Sequence, residues 1–291
     1  MKCREQNYRA CRILAALFAA LMASTAGAQE CTVKPTSIPL GQTVRLRCEI
    51  PAANARLNGR TVRLYKQGTG DWLGLMPVAV ADVPGTYPIE FLAEDGAALA
   101  SVNLIIRKTI FPSQNVTLAP QIEALHSTPE EMQTLTTFRD AVSDVKYWED
   151  PLVAPVPGCV ISPFGVKRLH NGKPTGDFHA GIDQRAPAGT PIRAVAAGVV
   201  RIVQPFNVLG GTVAIDHGQG LETMYLHMSK LNVEMGARVE RGDIVGYVGA
   251  TGRANGPHLH WVVYVNGVPV NPQQWVTLKP CGGGKKKSKE K

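Results

Sequence analysis

Between residues 31 and 108, apolar and polar positions alternate with a period of two. TVRLRCEI (43–50), RTVRLYK (60–66), GTYPIEFLA (85–93) and ALASVNLIIR (98–107) each put every second side chain on one face, the pattern of half-buried strands. Asn58-Gly59, Pro84-Gly85 and Asp95-Gly96 punctuate them as turns. Short strands at this spacing predict a small β-sandwich over 29–108. No cluster of titratable side chains accompanies them, so this unit reads as a structural or binding module.

The period changes after residue 108. Pro112, Pro120 and Pro129 break the alternation. PEEMQTLTTFRDAV (129–142) then repeats at helical spacing, with Met132, Leu135, Phe138 and Val142 on one face. Thr128 is placed to cap it, Pro129 to sit in its first turn and Glu131 to complete a capping box. Pro151, Pro155 and Pro157 close the stretch, which makes 109–157 a Pro-punctuated linker with one short, docked helix. From 158 to 280 short Val-rich, Gly-bounded runs return, among them GGTVAIDHG, ETMYLHMS and HLHWVVYVNG, with no amphipathic helix between them. They predict a compact antiparallel sheet structure. The fold class is therefore mainly β: sandwich, linker helix, antiparallel second domain.

The ends say where the chain works. Lys2, Arg4, Arg9 and Arg12 precede a short apolar run (13–22), and Ala26-Gly27-Ala28 fits a cleavage site. Residues 1–28 read as a signal peptide, and the mature chain as periplasmic or secreted. The run is shorter than the roughly 20 residues of a membrane span, so no integral segment is expected in the mature chain. Cys31, Cys48, Cys159 and Cys281 remain after cleavage. An even number in an oxidising compartment predicts two disulfides out of three pairings. Cys31–Cys48 is favoured because both flank one short hairpin, which leaves Cys159–Cys281. The absence of a C-x-x-C pair disfavours thiolate zinc binding. The formal charge of +8 is concentrated in the signal and in a basic tail (281–291). The body between them is about neutral, which gives no support to a nucleic-acid partner.

The chemistry lies in the histidines. In GPHLHW (256–261), His258 and His260 are two residues apart ahead of strand formers, so a strand would set both on one face. The same pattern also describes a merely polar sheet face. In FHAGID, His179 precedes Asp183 by four residues, and a turn at Gly181 would let the two converge. Two imidazoles and one carboxylate suit Zn²⁺ and leave a position for water.

These segments stand in a recognisable order. SPFGVKR, HNGKPTGDFHAGID, GTPIRAVAAGVV, HGQGLETMYLHMS and GDIVGYVGATGRANGPHLHW, followed by VNP, resemble the M23 (lysostaphin/LytM-type) zinc metallopeptidases from about residue 158 to 272. Residues 31–125 resemble the β-domain and linker that precede this peptidase in some exported Gram-negative members. The resemblance implies one Zn²⁺ held by His179, Asp183 and His260, with His227 and His258 as catalytic histidines. It implies Asn171 as a groove-lining polar residue in contact with substrate, and peptidoglycan peptide stems as that substrate. His126, His170 and His217 match no ligand position and read as structural or exposed. NVLGGTVAIDHG departs from the aromatic-Gly-Asn stretch of many members, which bears on specificity rather than on the metal. Some relatives have lost ligands and act as activators of other hydrolases; the full ligand set argues for an enzyme here. A wall hydrolase needs restraint, so residues 31–157 are expected to occlude the groove, direct the enzyme in the wall, or serve only as a spacer.

Overall fold

Leu64 is the point at which the first unit changes sheets. The expected single strand over 60–66 is two, Arg60–Arg63 and Tyr65–Lys66, and they belong to opposite sheets. One sheet has four strands, in the order Cys31–Lys34, Thr43–Cys48, Trp72–Pro77, Tyr65–Lys66. The other has five, in the order Ser37–Pro39, Ala98–Arg107, Gly85–Leu92, Asn54–Leu57, Arg60–Arg63. Their inner faces meet over Val44, Leu46, Ile89, Phe91 and Leu104, all essentially buried. This is the expected sandwich. The structure is a computed structural model that describes residues 30–281. The expected signal peptide and all of the basic tail but Cys281 lie outside the described residues. Within them no helix is long and apolar enough to cross a membrane.

Both favoured disulfides are present. Cys31 and Cys48 stand directly opposite in antiparallel register, which brings their sulfurs together. Cys159–Cys281 joins the two ends of the second unit.

The second unit is built on one large antiparallel sheet. Its order is Val160–Ser162, Ile182–Gln184, Leu259–Val265, Leu221–Met228, Gly210–Gly218, Gly198–Phe206, Arg238–Val239, with Val268–Val270 paired to Leu259–Val265. Its only helical turn among the described residues is the 3₁₀ segment Pro272–Gln274. Alternation along Leu259–Val265 splits the sheet into two faces. Leu259, Trp261, Val263 and Val265 point into the main core, while Val262 and the partly buried Tyr264 point to the other side, where Phe138 and Leu135 of the linker helix cover them.

The linker is more structured than its prolines predict. Ser113–Val116 is a strand, parallel to Lys167–His170. The helix spans Pro129–Asp140 with the expected capping box, Thr128 Oγ1 accepting from Glu131 N–H and Glu131 accepting from Thr128 N–H. It ends two residues early, and only half of its expected apolar face is covered. Phe138 is buried, but Met132 and Val142 are exposed. Trp148, Leu152 and Val156 join the core of the second unit, as does Leu75 from the sandwich. Gln274 bonds both polar backbone groups of Thr43, and the Asn266 amide donates to the Leu75 carbonyl, so the two β-units are docked.

Candidate active site

Asp183 and His260 are direct cross-strand neighbours in the pairing of Ile182–Gln184 with Leu259–Val265. Side chains so placed are about 5 Å apart at Cβ, so their polar atoms can share one point. His260 Nδ1 lies 2.7 Å from Asp183 Oδ1. His179 arrives from the preceding loop, with its Nε2 3.1 Å from the same oxygen and 2.9 Å from His260 Nδ1. The loop approaches this closely because residue 181 is glycine: a Cβ there would lie 2.2 Å from the Trp261 carbonyl oxygen.

The three donor atoms form a triangle sized for an ion. Ligands at Zn²⁺ bond lengths sit about 3.3 Å apart in a tetrahedron, slightly more than these edges. Second contacts fix the rings. His179 Nδ1 is 2.9 Å from the Pro163 carbonyl oxygen and donates to it, which leaves the Nε2 lone pair facing the cluster. Burial works against an ionised Asp183, but the closeness of His179, and then of His260, holds its carboxyl well below the usual range. Burial pushes His260 down to about 4 despite the opposing pull of Asp183. A neutral imidazole beside an ionised carboxylate is the state a metal requires.

His227 and His258 complete the cluster. Their rings are 5.1 Å apart, and His227 is 6.0 Å from His260. His227 Nδ1 donates to the Thr251 carbonyl (2.8 Å) and His258 Nδ1 to the Gly256 carbonyl (2.8 Å), so both present Nε2 as an acceptor. Burial, then the neighbouring His260 and His258, push His227 down to about 3. Strict alternation would send its side chain to the core with Tyr225. Instead the register slips between Gly211 and Val213, two residues of the partner strand spanning three, and His227 adopts φ 59°. This bulge turns the imidazole onto the face that carries His260.

Arg168 went unnoticed in the sequence. Its Nη2 lies 2.7 Å from Asp183 Oδ2, the oxygen that the histidines do not use. The only sequence signal was its alternation with Lys167 beside the Asn171-Gly172 turn, too common a pattern to single it out.

Asn171, expected to line the groove, bonds the linker. It does not line the cavity over the cluster; its amide donates to the Leu118 carbonyl and to Glu123 and accepts from Leu118 N–H. The reason is its position at the tight turn, φ 48°, from which the side chain meets the linker. His170, by contrast, does line the cavity. His217 is fully buried between the Ala197 carbonyl and Thr223 and is structural.

The cavity has a volume of about 470 Å³, and one wall of it is the linker strand and the residues that follow, Gln114 to Leu118. Gln114 accepts from Ser162 Oγ (2.7 Å), which itself lies 3.3 Å from His179 Nδ1. On the far side, Arg253 donates to the Leu125 carbonyl.

Comparison with known proteins points to one family. Residues 177–272 match the model of Peptidase family M23. DD-carboxypeptidase/endopeptidase Mpg of Neisseria meningitidis serogroup B is 45% identical over 113 residues, covering 39% of this chain and 26% of that protein. Peptidoglycan DD-endopeptidase ShyA of Vibrio cholerae is 41% identical over 112 residues, covering 38% and 26%. The chain thus spans about a quarter of the length of the curated relatives it matches. A Pseudomonas aeruginosa crystal structure named for peptidase M23 superposes with a TM-score of 0.60 at 30% identity, over 77% of this chain and 87% of that one. That likeness extends well beyond residues 177–272, and the chain belongs to peptidase family M23.

Proposed function

We propose that this chain is an exported zinc metalloendopeptidase that hydrolyses peptide cross-links of peptidoglycan. The observation that carries the reading is the convergence of His179 Nε2, Asp183 Oδ1 and His260 Nδ1 in a cavity that also holds the free Nε2 atoms of two further histidines. The relatives' names supply the substrate class, and the two disulfides support export to an oxidising compartment.

His179, Asp183 and His260 would hold the metal. Two nitrogens and one oxygen are a donor set that suits Zn²⁺. When bound, Zn²⁺ supplies Lewis acidity, stabilising negative charge on an amide oxygen and lowering the pKa of water toward about 7. His227 and His258 do the proton work. Each is locked by its Nδ1–H bond, so a proton taken from attacking water arrives at Nε2 and can be returned to the leaving amine. A protonated ring also offers a donor to the developing oxyanion. Arg168 holds the outer oxygen of Asp183 and keeps the inner one aimed at the metal position.

The linker limits access in this reading. Gln114 to Leu118 wall the cavity, and Asn171, Arg253 and the strand Lys167–His170 each hold a piece of the linker in place. Purified sacculi incubated with the zinc-loaded chain test the function: mass analysis of the released muropeptides should show loss of peptide cross-links with glycan chains intact. Release of sugar fragments alone, or cleavage of casein with sacculi untouched, would overturn it.

A further inference from the structure

The outer face of the four-stranded sheet carries an arrangement of charge that packing alone does not favour. Lys34 stands directly opposite Arg45, and Arg47 lies two residues along the same strand on the same face. Like charges in direct cross-strand register are destabilising. Across from them, Lys146 of the linker sits with its Nζ 4.4 Å from the Trp148 ring centroid. These four cations surround a cavity of about 240 Å³ whose floor is Leu73, Leu75 and Trp148, and no acidic side chain lines it.

Carboxylates answer only part of this charge. Arg45 pairs with Asp150 at 2.7 Å, and Arg47 with Asp71 and Glu49, both at 3.1 Å. Among the described residues Lys34 and Lys146 have no carboxylate within 4.0 Å. The cavity therefore keeps two ammonium groups without a carboxylate partner, that of Lys146 resting over the Trp148 ring, above an aliphatic and aromatic floor. Such a site suits a ligand with a small apolar body and a free carboxylate, since the floor takes the one and the rim the other. The cavity lies at the seam of the two β-units, away from the histidine cluster, and shares no lining residue with the cavity over it.

We propose that this seam cavity is a second binding site, which holds a carboxylate-bearing peptide end of the wall polymer while the metal site acts on a cross-link elsewhere in it. The proposal rests on the peptidoglycan reading above. Its role is retention: a polymer held at two points dissociates more slowly than one held at the cleavage site alone.

Co-sedimentation of the full mature chain with sacculi tests it, using His258→Ala to prevent digestion. Added Lys34→Glu and Lys146→Glu substitutions, both on exposed side chains, should weaken retention at least fivefold. In the chain with His258 intact, the same double reversal should leave kcat/KM on short dissolved cross-linked peptides unchanged. Lys108→Glu, an exposed charge reversal outside the cavity, should retain sacculi normally. Equal weakening by Lys108→Glu, or none by the double reversal, would overturn the proposal. Calorimetric titration with N-acetyl-D-alanyl-D-alanine, a methyl-bearing carboxylate, in the His258→Ala background gives a readout independent of hydrolysis. Binding should occur in that background and vanish when the double reversal is added, and persistence of binding there would also overturn it. Such binding, with no cross-link cut by the chain with His258 intact, would fault the hydrolase reading and leave the site itself standing.

Discussion

Arg168 and Asp183 are joined by a 2.7 Å ion pair that divides the carboxylate between two tasks. Oδ2 faces the guanidinium, and Oδ1 faces His179 and His260. In the proposed site this division would favour holding a metal through Oδ1 alone. Arg168→Met should therefore lower Zn²⁺ affinity about 10–100-fold, the usual cost of losing such a supporting contact. Arg168→Lys should recover part of it. Chelator competition measures this, and unchanged affinity in the Met variant would refute the positioning role.

Removing any one of the three donors should remove the metal. His179→Ala, Asp183→Ala and His260→Ala should each lose most bound Zn²⁺ and all hydrolysis, while His126→Ala should lose neither. Metal analysis of the purified variants decides this. Full occupancy in Asp183→Ala would show that the triangle is not the site.

The two remaining histidines should behave differently from the three. His258→Ala and His227→Ala should keep Zn²⁺ yet lose about 10²–10⁴-fold in turnover, the range for a positioned acid or base. Metal content measured beside the rate separates the two effects. Loss of Zn²⁺ from His258→Ala would make that residue a ligand.

Asn171 offers a direct test of the linker. Glycine suits the left-handed turn, so Asn171→Gly should keep the hairpin while releasing Leu118 and Glu123. If the linker occludes the cavity, sacculus hydrolysis should rise several-fold. A fall in rate would restore the substrate contact that the family resemblance implied.

Glu222 gives the pH dependence. Burial, and then the nearby Asp216, push its carboxyl up to about 9, and neither oxygen has a hydrogen-bond partner. A raised folded-state value means stability that is fully present below the ordinary carboxyl range near 4.5 and is lost as pH rises toward 9. Glu222→Gln should thus raise Tm by about 4 °C or more at pH 8, with the gain shrinking toward pH 4.5. Melting curves across that range check it; a gain that did not vary with pH would rule the linkage out.

Much of this molecule is legible in its residues. Alternation and Gly-bounded turns define the strands, because a side-chain period of two leaves few other ways to bury one face. The Thr128–Glu131 capping box marks the helix start, and the cysteine count leads to both disulfides. The spacing of His258 and His260 already places them on one side of a strand. Other features depend on contacts between segments far apart in the chain. RTVRLYK reads as one strand, yet its halves serve two sheets, because the sandwich needs a crossover at Leu64. His227 alternates with the core-facing residues, and only a bulge against Gly211–Val213 brings it to the other face. Arg168 meets Asp183 only once its hairpin has folded against it, and Asn171 bonds the linker only because the linker is brought to its turn. Local pattern determines which faces a segment offers; which partner fills each face is decided by long-range register, and register is a property of the folded chain.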